Sequence, residues 1–86
     1  MIYVYEELGL RTRVRNNDEL KKVLYSITSD FDLRSSNFDW HGSYLIDDWG
    51  QKIGKVSYNS RVWNVNNEDE ELFFEDDIVT RTEIVE

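Results

Sequence analysis

The amino-acid sequence predicts an α+β fold: an antiparallel β-sheet, made of an N-terminal hairpin plus a C-terminal meander, with one main amphipathic helix and a short acidic helix. Three observations carry this reading. Residues 10–15 alternate apolar and basic side chains, the period of a strand. Residues 17–29 repeat apolar side chains at helical spacing. Residues 43–65 fall into short strand-like runs separated by turn residues. With 86 residues, the chain has room for one core, so 1–86 is read as a single domain.

Taken in order, Ile2-Tyr3-Val4-Tyr5 is β-branched and aromatic and predicts a strand. Glu7-Leu8-Gly9 turns it, with Gly9 free to take a positive φ. Leu10, Thr12 and Val14 then share one face and Arg11, Arg13 and Arg15 the other, completing a hairpin with an arginine ladder. Asn16 with Glu19 three residues on forms a capping-box pattern. Leu20, Val23, Leu24 and Ile27 follow at i, i+3, i+4 and i+7, which sets the main helix at about 17–29. Residues 30–42 form a polar, aromatic-studded connection. Strands are expected at 43–46, 52–58 and 61–65, with turns at 47–50 and 59–60. Asn67 is placed to cap a short acidic helix over about 68–76, with Glu70 at the capping-box position. Residues 78–85 predict a closing strand.

The charge is unevenly distributed. Asp and Glu number 18 against 10 Lys and Arg, a net charge of −8. Residues 1–60 carry only −1 of this, and residues 61–86 carry −7. From Asn66 to Val79 the chain holds Glu68, Asp69, Glu70, Glu71, Glu75, Asp76 and Asp77 and no base. Leu72, Phe73, Phe74, Ile78 and Val79 are interleaved with them, so the segment is read as folded rather than as a solvated tail. An acidic chain of this kind is not expected to bind nucleic acid directly, because that requires a basic face. The lack of cysteine excludes disulfides and thiolate chemistry. With no long apolar run and no signal-peptide pattern, no membrane association is expected, and the expected location is cytoplasmic, which the resemblance described below makes that of a bacterial host cell.

Catalytic motifs are thin. His41 lies between Asp39 and Ser43, but hydrolytic triads are assembled by the fold rather than by adjacency, and an ordinary loop histidine is expected. The carboxylate pairs Asp47-Asp48 and Asp76-Asp77 sit in turn-like positions and read as solvated turn or cap residues. Asn64, Asn66, Glu68 and Glu75 match four calcium-loop positions, yet Asp69 stands where that loop requires glycine, so no dedicated metal site is expected. The four glycines are scattered, with no phosphate-binding loop. The expectation is a protein that is not an enzyme and uses no cofactor. Arg11, Arg13 and Arg15 are expected to pair with acids of the same chain. Most of the large aromatics are expected in the core, whereas Trp49, in a turn beside Asp47 and Asp48, is singled out as a contact residue.

A rigid surface of closely spaced carboxylates reproduces the charge of a phosphate backbone and is suited to a basic, nucleic-acid-binding groove. The stretch Glu68-Asp69-Glu70-Glu71-Leu72-Phe73-Phe74-Glu75-Asp76 resembles the acidic segment near the C-terminus of small phage anti-CRISPR proteins that block Cas9. The resemblance covers residues 68–76. It implies that Glu68, Asp69, Glu70, Glu71 and Asp76 occupy the site that reads the DNA motif beside the target. The candidate partner-binding set is therefore Glu68, Asp69, Glu70, Glu71, Glu75, Asp76 and Asp77, with Asp47, Asp48 and Trp49. The expected partner is a basic nucleic-acid-binding protein or nuclease. Two further readings stay open: an immunity protein neutralising a basic nuclease toxin, and a phage or bacterial interaction protein of unknown role.

Overall fold

A computed structural model describes residues 1–81, the side chain of Arg81 excepted. The elements are β1 (Ile2–Tyr5), a 3-10 turn at Glu6–Leu8, β2 (Leu10–Arg13), α1 (Asn17–Asp30), a 3-10 turn at Trp40–Gly42, β3 (Ser43–Ile46), β4 (Lys52–Val56), β5 (Val62–Asn64), β6 (Asn67–Glu75) and β7 (Ile78–Arg81). The strands form one antiparallel sheet in the order β2-β1-β3-β4-β5-β6-β7. The predicted hairpin and meander are thus joined, because β3 pairs with β1, Tyr3 opposite Leu45.

The hairpin turns at Gly9, with φ +63°, a conformation glycine adopts without steric cost. In β2 the arginines point outward, while Leu10, Thr12 and then Val14 face the helix side. Asn16 caps α1 by accepting a 2.9 Å hydrogen bond from the Glu19 amide. The Glu19 carboxylate reaches back to the Arg15 amide, also at 2.9 Å, one residue beyond the cap itself. Leu20, Leu24 and Ile27 are buried and pack against Tyr3, Tyr5, Leu45, Val56, Val62 and Phe74 from the sheet. Residues 31–39 form an irregular connection.

Two tyrosine hydroxyls are carried into this core, and both have partners. Tyr3 shares a 2.7 Å hydrogen bond with the buried Ser43 hydroxyl. The Tyr5 hydroxyl accepts from the Asp39 amide at 3.0 Å and donates to Glu7 at 3.2 Å. Burial pushes both phenols above their ordinary range.

The acidic helix expected over 68–76 is corrected: these residues lie in β6 and its turn. A helix there needs an apolar stripe at i, i+3 and i+4, and Leu72-Phe73-Phe74 offers a contiguous block instead. Read with period two, the block places Leu72 and Phe74 inward and Glu71, Phe73 and Glu75 outward. Asp76 and Asp77 have φ +52° and +62°, the left-handed pair that closes a two-residue type I′ hairpin. Asn67 does cap locally, accepting from the Asp69 amide at 3.2 Å, but as a turn. β7 opens the predicted closing strand, whose residues 82–85 lie outside the described residues.

Candidate functional site

β6 is the centre of the acidic surface, and its two ends differ. The register against β5 slips between Trp63 and Asn64, so that Trp63 opposes Glu71 while Asn64 opposes Asn67. Glu68, Asp69 and Glu70 fill this irregularity. Glu68 turns back to Lys55, whose Nζ donates to Oε1 at 2.6 Å. That hydrogen bond holds the Glu68 carboxyl below the ordinary carboxylate range. Lys55 also lies over the Trp40 ring, 5.4 Å from its centroid. Glu70 accepts from Asn64 Nδ2 at 2.8 Å.

Beyond the irregularity the strand is regular. Glu71 lies 3.8 Å from Arg61. Among the described residues, no side-chain partner is found for Asp69, Glu75 or Asp76. Phe73 is 61 % exposed and Ile78, beside it on β7, is 58 % exposed. The outer face of the β6–β7 hairpin is therefore apolar in the middle and acidic around it.

The turn of that hairpin is tied down. The Asp77 amide donates to the Arg15 carbonyl at 2.6 Å, and its carboxylate accepts from the Met1 amino group. That hydrogen bond depresses the Asp77 pKa, with lesser help from Arg13 and Arg15. Arg13 is also 3.6 Å from Asp48. The end of β2 consequently joins two acidic turns that are far apart in sequence, Asp47–Gly50 and Asp76–Asp77.

Asp47 and Trp49 have opposite roles in their turn. The Asp47 carboxylate is a backbone cap, accepting from the amides of Trp49 and Gln51 at 2.9 Å each. Gly50 donates to the Asp47 carbonyl at 3.1 Å and takes φ +82°. On this internally fixed turn Trp49 is 89 % exposed.

The structure thus brings Asp48 and Asp77 together around Arg13, with Arg15 beside Asp77, and Trp49 and Asp76 follow as their chain neighbours. It leaves Glu68 and Glu70 at the other end of β6, each engaged within the chain. The arginine ladder meets Asp48 and Asp77, whereas Glu6 and Glu7 accept instead from Tyr44 (2.5 Å) and Tyr5. Sequence reasoning missed Lys55 as the partner of Glu68, since no local pattern links residues 13 positions apart. It also missed the exposure of Phe73, which the alternation with Leu72 and Phe74 encodes once the segment is a strand.

Ser43 is buried against Tyr3 while His41 is exposed, so the two are not presented to a common substrate. A cleft of about 570 Å³ lies between the first turn of α1, the β4–β5 turn and β6, lined by Asn17, Lys21, Arg61, Glu71, Phe74 and Glu75. Its charges are mixed, and Asn17 bridges it to the Ser60 carbonyl at 2.7 Å. Among the described residues no group of three or more His, Asp or Glu side chains is arranged to hold a metal ion, and no helix is long and apolar enough to cross a membrane. No protein-family model matches the chain, and neither a curated protein nor a solved structure matches it.

Proposed function

We propose that this chain is a small acidic inhibitor that enters the nucleic-acid-binding groove of a defence or DNA-processing nuclease, the CRISPR-associated kind included, and blocks DNA binding by presenting carboxylates in place of phosphates. One observation carries the reading. β6 anchors Leu72 and Phe74 in the core and runs directly into the Asp76–Asp77 turn, so its outward carboxylates belong to a rigid strand. On this face Glu71 and Glu75 stand on either side of Phe73, about 14 Å apart, with Asp76 next to Glu75, so the charge falls in two groups along the strand. A preorganised array of this kind loses little side-chain freedom on docking, and its field steers a basic partner at long range.

Within the array the contributions are unequal. Glu75, Asp76 and Asp69 are free to meet cations of a partner, whereas Glu68 must first leave Lys55. Replacing Asp69, Glu75 and Asp76 by Asn, Gln and Asn lowers inhibition of DNA binding by at least about tenfold, and Glu68→Gln lowers it less. Equal inhibition by wild type and the triple variant, with circular dichroism unchanged, contradicts the proposal.

The immunity-protein reading is favoured by Trp49, a fully presented aromatic on a fixed turn, since tight cognate complexes are built around such anchors. The two readings separate by salt. Charge mimicry weakens steeply as salt rises, and an aromatic-anchored complex does not.

A further inference from the structure

Among the described residues the sheet has two edge strands, β2 and β7; Arg15, just past β2, bonds Asp77 in the turn before β7, and no described strand pairs with β7 beyond that point. β2 carries Arg11 and Arg13, which natural sheets use to discourage pairing at an edge. β7 runs Ile78-Val79-Thr80-Arg81, three β-branched residues with no proline, its one charged residue standing at the far end from the hairpin turn. Its ladder with β6, like that of β2 with β1, has no register irregularity, so the contrast between the two edges lies in their side chains. A regular, β-branched edge of this kind is a template for another strand.

We propose that β7 is a docking edge to which a basic, extended segment of the partner protein adds as an eighth strand. The inference rests on the reading of the partner as a basic protein and names the contact by which it is held. Its side-chain chemistry follows from the outer face. An added strand lies about 4.8 Å from β7 and about 10 Å from β6. Its outward side chains then meet Ile78 and Thr80 directly and reach toward Phe73 and Glu75. Long lysine or arginine stems cover the exposed Phe73 and Ile78 while their charged heads meet the carboxylates. A second copy of β7 would instead set one acidic hairpin beside another, which its charge opposes.

The register also fixes which amides take part. In a two-residue hairpin the flanking pair, here Glu75 and Ile78, exchanges both hydrogen bonds, so Thr80 also faces β6 and the Val79 amide points to the open edge.

The test uses the full chain, isotopically labelled, and a short blocked peptide of alternating lysine and valine. The control is a peptide of the same composition with its lysines and valines in separate blocks. At physiological salt the alternating peptide binds on the order of tenfold more tightly than the block peptide. It slows exchange of the Val79 amide and leaves Thr80 unchanged. Ile78→Lys weakens binding about tenfold, and backbone N-methylation of the peptide on its pairing edge does the same without altering the protein. Equal affinity for the two peptides, or no added protection at Val79, overturns the proposal. So does protection of Val79 that rises with protein concentration in the absence of peptide, because the occupant is then a second copy. Inhibition of a nuclease without Val79 protection removes strand addition alone; Val79 protection with no nuclease inhibited removes the inhibitor reading alone.

Discussion

Lys55 and Glu68 form a 2.6 Å ion pair that joins β4 to the start of β6 across the intervening strand. The acid that opens the acidic segment is therefore held by a base from a part of the chain whose charge is nearly balanced. Together with Asn64–Glu70 and Arg61–Glu71, this pair separates the engaged carboxylates of the segment from Asp69, Glu75 and Asp76, and the consequences can be measured.

The first concerns pH. Lys55 holds the folded-state pKa of Glu68 below its unfolded value. Its contribution to stability is thus complete above the unfolded value, about 4.3, and is lost as the pH falls from there through the folded value. Thermal unfolding of wild type and Glu68→Gln between pH 7 and strong acid should show a small gap that closes below about pH 4. The gap stays small because the carboxylate is exposed.

The adjacent phenylalanines should behave oppositely. Phe74 is buried and Phe73 faces solvent. Phe74→Ala is expected to destabilise by about 3–5 kcal/mol, and Phe73→Ala by less than about 0.5 kcal/mol. Urea unfolding of the two variants checks the strand directly, since a helix does not produce so sharp an alternation.

Gly54 sits where β4 crosses β5 closely. A Cβ there would stand 2.6 Å from Val62 Cγ1 and 3.2 Å from the Trp63 carbonyl oxygen. Gly54→Ala should therefore destabilise by about 1–3 kcal/mol, read in the same urea experiment.

Both turn residues of the last hairpin have positive φ. Asp76→Val forces a β-branched residue into the left-handed region and should destabilise by about 1–2 kcal/mol. Asp76→Gly should leave stability nearly unchanged, which separates loss of the carboxylate from backbone strain.

Much of the fold was legible in the sequence because its signals are local. The alternation of Leu10, Thr12 and Val14 with arginines, the Asn16–Glu19 cap and the Leu20–Ile27 stripe each lie within one or two turns of the chain. The acidic segment was misread because a capping pattern and a β-turn pattern use the same residue types. Asn67 and Glu70 suggested a helix start, while the decisive signal was Asp76-Asp77, a hairpin turn that requires strands on both sides. At the candidate site, the acidity and the exposure of Trp49 were readable. Which carboxylates are engaged was not, since Lys55–Glu68, Arg13–Asp48 and Met1–Asp77 are made by tertiary approach.

The central claim is that the presented carboxylates of the acidic segment compete with DNA for a nuclease groove. The most direct measurement is duplex-DNA binding by purified bacterial nucleases, Cas9 with guide RNA among them, titrated with wild type and with the Asp69→Asn, Glu75→Gln, Asp76→Asn triple variant. The account predicts competitive displacement of DNA by wild type that weakens as salt rises, and at least about tenfold less displacement by the folded triple variant. Displacement unchanged by the three substitutions, or no nuclease affected by the wild-type chain, contradicts it.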